Sequence, residues 1–147
     1  AMRAKLRDAA AACDFETLAA LVSVNPAFVA EVKGVRLADQ WRLEDARGNR
    51  IMRAVVGLLD LAPRRADAGI AAGAASYVWP GFAAAAPGTA MTDAELASLD
   101  RVYVPGYAES FRNGFRRSFL GAAADTYAGG IFIEIRADGV PVAITTR

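Results

Sequence analysis

Side chains able to carry chemistry are scarce in this sequence, and the scarcity is selective. There is no histidine, which removes the commonest general base, the commonest metal ligand and the side chain that titrates near neutrality. A single cysteine, Cys13, excludes an internal disulfide and any Cys-x-x-Cys site. Ser-His-Asp and Cys-His hydrolysis are therefore ruled out. Carboxylate, Lys, Tyr or Ser-Lys work is what remains. No metal and no cofactor are expected, and no residue is assigned a catalytic role.

The carboxylates offer no dependable pair. Glu44 and Asp45 are neighbours on an expected helix and point in different directions. Asp93 and Glu95 suit a helix N-terminus, where negative charge is favourable. Asp14 reads as a cap and Asp138 as a turn residue. Glu134 stands apart, set in an isoleucine-rich strand, and alternation places it on the face opposite Ile133. A small hydrolase or lyase would need Glu134 or Glu109 to converge with Arg112 or Arg116, and nothing in the spacing selects such a pair. Cys13 shares helical spacing with Leu6 and Ala10 and reads as a buried small hydrophobe. Glycines 69, 73, 81 and 88 form no phosphate-binding pattern, and no Gly-Lys-Ser/Thr follows them.

Two clusters are better suited to binding. Tyr77, Trp79 and Phe82 form a bulky aromatic island within an Ala/Gly/Pro-rich stretch over residues 62–91. Such faces could line a groove for a sugar, a peptide or another small molecule. They could equally anchor a large loop in an alanine-rich protein, and this second reading is the more economical. The second cluster runs from Phe111 to Phe119 and interleaves aromatic residues with Arg112, Arg116 and Arg117. Stacking on bases with arginine on phosphate is one reading. On a helix, however, the phenylalanines share one face and the arginines lie elsewhere, which describes a core stripe with a basic edge. With 17 basic against 16 acidic residues the net charge is +1. Nucleic acid is accordingly disfavoured as a partner, and the three arginines remain candidates for a weak anion contact.

These residues must be positioned by a single α+β domain covering residues 1–147, predominantly helical, with five to six helices and a small antiparallel sheet. The length suits one domain, and 54% apolar residues are enough for one core, although much of that count is alanine. Helical spacing predicts a first helix over about 2–12. A second is capped by Asp14, with Thr17 three residues on, and buries Phe15, Leu18, Leu21 and Val22. A helix over 37–47 carries Trp41 and ends at Gly48. Asn49 is expected to cap the next, whose stripe is Ile51, Met52, Val55, Val56, Leu58 and Leu59, with Arg50, Arg53, Gly57 and Asp60 opposite. Thr92-x-x-Glu95 is a capping box, and phenylalanines four apart predict a helix after Pro105-Gly106. Residues 62–91 read as loop with one or two helical turns. The period then changes to two, predicting a hairpin of about 129–136 and 140–146 around Asp138-Gly139. Pro141 puts its second strand at an edge, and residues 28–32 are the candidate third strand, helix being the other reading.

Four pieces together resemble a group of small uncharacterised exported bacterial proteins. They are the Trp41-Arg42 helix, the Ile51–Leu59 helix, Tyr77-Val78-Trp79-Pro80-x-Phe82-Ala83, and Tyr127 followed by a hairpin at Asp138-Gly139. The group tends to continue Asp-Gly-x-Trp, where this chain has Asp138-Gly139-Val140-Pro141. The resemblance implies a periplasmic or envelope domain and transfers no activity. No apolar run is long enough to span a membrane, no secretory signal is visible, and Ala1 before Met2 reads as a cloning remnant. The function expected is a non-enzymatic binding module, monomeric or weakly dimeric, using Tyr77, Trp79 and Phe82.

Overall fold

The apolar stripe between positions 51 and 59 does form a helix in the computed structural model, which describes residues 1–22, 31–32, 35–70, 73–86, 89–103 and 131–146. In chain order the elements are α1 (Met2–Ala11), α2 (Phe15–Val22), β1 (Glu31–Val32), β2 (Val35–Arg36), α3 (Leu37–Glu44) and α4 (Ile51–Leu59). After them come β3 (Arg64–Ala66), β4 (Ser76–Trp79), α5 (Asp93–Val102), β5 (Ile131–Arg136) and β6 (Pro141–Thr146). The domain is α+β, as its pattern predicts. The region after Tyr103 that carries the expected phenylalanine helix lies outside the described residues.

Helix α1 closes in a Schellman arrangement. The Asp14 N–H donates to the Ala9 carbonyl and the Cys13 N–H to that of Ala10. Cys13 occupies the left-handed position at φ 53°, and this swings its side chain off the buried face. It is exposed, not buried as its spacing suggests. Asp14 then starts α2, accepting from the Thr17 N–H at 3.0 Å and the Thr17 hydroxyl at 2.6 Å. Those bonds hold its carboxyl below the usual carboxylate range. The Arg7 guanidinium grips Asp60 with bonds of 2.8 and 3.1 Å and lowers that carboxyl likewise. Arg3 meanwhile donates to the Leu59 carbonyl at the end of α4, so α1 and α4 are joined at their surface as well as through Leu6, Ala9 and Ala10.

The start of α4 departs from expectation. Asn49 does not cap it; its amide donates to Glu44 instead. A π-type turn over Asp45–Asn49 follows α3, and Arg50 takes the N-cap position in the left-handed region at φ 46°. Gly57 is also misplaced by helical spacing alone, which assigns it to solvent. A β-carbon there would lie 2.9 Å from the Val102 Cα, so Gly57 is where α5 crosses α4 at close range.

Four strands make one antiparallel sheet in the order β3-β4-β5-β6. The β5–β6 turn is the expected Asp-Gly hairpin. Its three-residue loop is closed by the Arg136 N–H to the Val140 carbonyl, with Gly139 at φ 89° supplying the left-handed residue. Asp138 braces it from below, accepting from the Val140 N–H and pairing with Arg136. Among the described residues β6 is an edge strand, the position expected from Pro141. Of the candidate third strand, 28–32, residues 28–30 lie outside the described residues, and the described pair does not join the hairpin. Glu31–Val32 pairs with Val35–Arg36 in a separate ladder, and β4 takes the place beside β5. Residues 62–91, read as loop, thus contribute two strands and a 3-10 turn over Gly81–Ala84.

Both faces of the sheet are covered. Trp79, Ile133, Ile135 and Ile144 meet the apolar faces of α1 to α4, including Trp41, which is in the core as expected. Val78, Phe132 and Ala143 on the reverse face pack with Leu96 and Leu99 of α5 and with Met91 and Ala83. The Thr92–Glu95 capping box that starts α5 is formed in full. At the far end of α5, the Tyr103 hydroxyl accepts from the Ile131 N–H at 3.1 Å and ties the helix to the start of β5.

The Gly57 contact gives a direct check. Alanine favours a helix interior over glycine by about 1 kcal/mol, whereas forcing a methyl against backbone costs about 1–3 kcal/mol. Gly57→Ala is expected to lower the thermal midpoint by a few degrees. A raised midpoint would mean that α4 and α5 are not packed this closely.

Candidate functional site

Isoleucine-rich strands bury both faces only when the odd polar residue among them is satisfied, and β5 contains one such residue. Glu134 has no solvent exposure. It stands opposite Val78 on β4 and Ala143 on β6, in the middle of the sheet's reverse face. Ser76, two residues before Val78, shares that face and is also fully buried. Its hydroxyl donates to Glu134 Oε1 at 2.5 Å, and the same oxygen accepts from the Ile70 N–H at 2.9 Å. A buried carboxylate left without donors would cost several kcal/mol, so these bonds fix where the chain between β3 and β4 can run. Glu134 thus fastens that connection to the sheet. The alternation in the sequence shows its face; its depth and its partners come from the β4 pairing, which sequence pattern does not reveal.

The aromatic island is distributed over three environments. Tyr77 lies 41% exposed on β4. Trp79, two residues on and on the same face, is 5% exposed and belongs to the helix-covered core. The two rings are 6.4 Å apart and tilted by 46°, within the range of favourable aromatic contact. Phe82, in the 3-10 turn, is half-buried against the core on the reverse face. The structure therefore brings Tyr77 and Trp79 together and sends Phe82 elsewhere. Arg112, Arg116 and Arg117, together with Glu109, lie outside the described residues. The Trp79 indole nitrogen is buried and donates to no acceptor among the described residues.

A residue that sequence reasoning passes over joins Tyr77. Arg65 sits directly across from it on β3, so both side chains rise from the same face of the sheet. The Arg65 side chain is 64% exposed, and among the described residues its ion pair is with Asp67, at 3.6 Å. Tyr77 and Arg65 are thus an exposed ring and an exposed arginine at cross-strand positions on paired strands. No signal in the sequence joins them, because Arg64-Arg65-Ala66 has no strand-like alternation. Among the described residues, no three His, Cys, Asp or Glu side chains are grouped so as to hold a metal ion, and no helix is long and apolar enough to cross a membrane.

No protein-family model, curated protein or solved structure is similar enough to this chain to match it.

Substitutions at the buried carboxylate test its structural work. Glu134→Ala leaves the Ser76 hydroxyl and the Ile70 N–H without this acceptor and opens a cavity, a loss of about 2–5 kcal/mol. Ser76→Ala keeps the Ile70 bond and is expected to cost less, about 1–3 kcal/mol. Urea unfolding of both variants checks the order. Wild-type stability in Glu134→Ala would show that the carboxylate fastens nothing.

Proposed function

We propose that this protein is a non-enzymatic binding module of the cell envelope, with recognition centred on Tyr77. The observation that carries this reading is the exposure of Tyr77 on a paired strand. Among the described residues only Val35, Leu43 and Tyr77 are large apolar side chains with substantial exposure, and Tyr77 is the aromatic one. A ring held on a strand has little freedom to lose when a ligand covers it, which favours affinity. Trp79 buttresses the ring from within the core, and Arg65 supplies a cation next to it. That combination suits a glycan, a peptide or a small molecule with an anionic group. The envelope assignment draws on the likeness carried by Tyr77-Val78-Trp79-Pro80.

The complete burial of Glu134 and its bonds to Ser76 and Ile70 support a positional role for the carboxylate that stands out most in the sequence. This weighs against the acid–base alternative at that residue.

A thermal-shift screen against glycans, peptides and nucleotides tests the reading, since any ligand of the native state raises the midpoint. At least one class should stabilise the wild type and fail to stabilise Tyr77→Ala, which truncates an exposed ring and is expected to remain folded. Equal shifts in both proteins, or none in either, would contradict it.

A further inference from the structure

We infer that the β3 edge of the sheet accepts an extended acidic peptide segment as a fifth strand, an inference that rests on the Tyr77 recognition reading and names its partner. A four-stranded sheet has two edges, and here they differ. β6 begins with a proline and is packed by α2, whereas β3 follows Pro63, is packed by the 3-10 turn over Gly81–Ala84 and carries two exposed arginines. β3 has no strand on its outer side among the described residues, and its outward backbone groups are the kind that an added strand pairs with.

The side chains along that edge state the charge of the occupant. Arg64 and Arg65 are both exposed and project from opposite faces. An added strand therefore meets a guanidinium on each side of the sheet, and acidic residues at consecutive positions would answer both. Arg64 makes no ion pair among the described residues, and Arg65 has only the Asp67 contact, whose acid is 95% exposed. Pairs as exposed as that contribute little, so Arg65 gives up little by exchanging Asp67 for a partner's carboxylate. Tyr77 lies one strand further in, about 10 Å from an added strand, and offers its ring to a long side chain crossing Arg65.

Short, charged edges are also how sheets avoid pairing with one another, and the same charges decide against a second copy of this chain. Two β3 edges brought together would set arginines against arginines, and like charges directly across strands repel. An acidic segment reverses that sign, so the feature that rejects self-pairing selects the partner.

The test is panning of the full chain against a random dodecapeptide library, with enriched peptides titrated calorimetrically against wild type, Tyr77→Ala and an Arg64→Glu/Arg65→Glu double variant. Enrichment of consecutive Asp and Glu is expected, with binding that weakens as salt is raised and at least about tenfold weaker in the double variant. Circular dichroism verifies that variant's fold, and Arg64→Gln/Arg65→Gln replaces it if charge reversal unfolds the chain. Neutral or basic peptides, no enrichment, or undiminished affinity in the folded double variant would overturn the inference. A glycan or small molecule that needs Tyr77 but ignores the arginines would overturn it too while sparing the Tyr77 reading. Acidic peptides that need the arginines but ignore Tyr77 would leave the edge standing and remove the Tyr77 reading.

Discussion

Burying Glu134 in the middle of a sheet creates a demand that the surrounding chain must meet. The carboxylate lies between apolar strands with no access to water, and Oε1 is held by the Ser76 hydroxyl and the Ile70 N–H. The first bond uses the observed β4–β5 register, in which Ser76 lies on the face of Glu134, two residues before its cross-strand partner Val78; a one-residue slip would turn Ser76 to the other face. The second requires the connection between β3 and β4 to fold back over the sheet. One acceptor thus constrains a strand pairing and the path of a long connection together. The placement of Tyr77 follows, since it is the residue after Ser76 and faces the other way. Arg65 arrives opposite it by the β3–β4 pairing.

Much of the helical part of this architecture is legible in the sequence, because its signals are local. Asp14 with Thr17, Thr92 with Glu95, and the stripe ending at Leu59 each lie within a few residues of what they organise. The hairpin is legible for the same reason, Asp138-Gly139 lying between two alternating runs. The failures share a different cause. β4 buries Val78 on one face and Trp79 on the other, which erases the polarity alternation that marks a half-exposed strand. Its β-forming residues Tyr77, Val78 and Trp79, ended by Pro80, were the signal available. β3 is three residues long and carries two arginines, and such an edge has no pattern of its own. Sequence pattern misplaces Gly57 and Cys13 because one depends on where α5 crosses and the other on the left-handed turn that closes α1.

The candidate site was legible as a list of residues and not as an arrangement. Tyr77 and Trp79 do stand together, but Phe82 packs on the reverse face. The proposed recognition surface is narrower than an aromatic groove: one exposed ring, one buried ring supporting it, and an arginine contributed by a strand without a sequence signature. The sheet organised around Glu134 holds that surface, and rigidity of this kind is what lets a small exposed patch bind selectively.

The account stands or falls on whether Glu134 fastens the β3–β4 connection, and amide hydrogen exchange at Ile70 reads this directly. Ile70 lies outside every strand and helix, yet its N–H is bonded to a buried carboxylate, so its exchange should be slow in the wild type. In Glu134→Ala it should become fast while the Val55 and Leu58 amides of α4 stay protected. An Ile70 amide that exchanges freely in the wild type, or equally slowly in both proteins, would contradict the account.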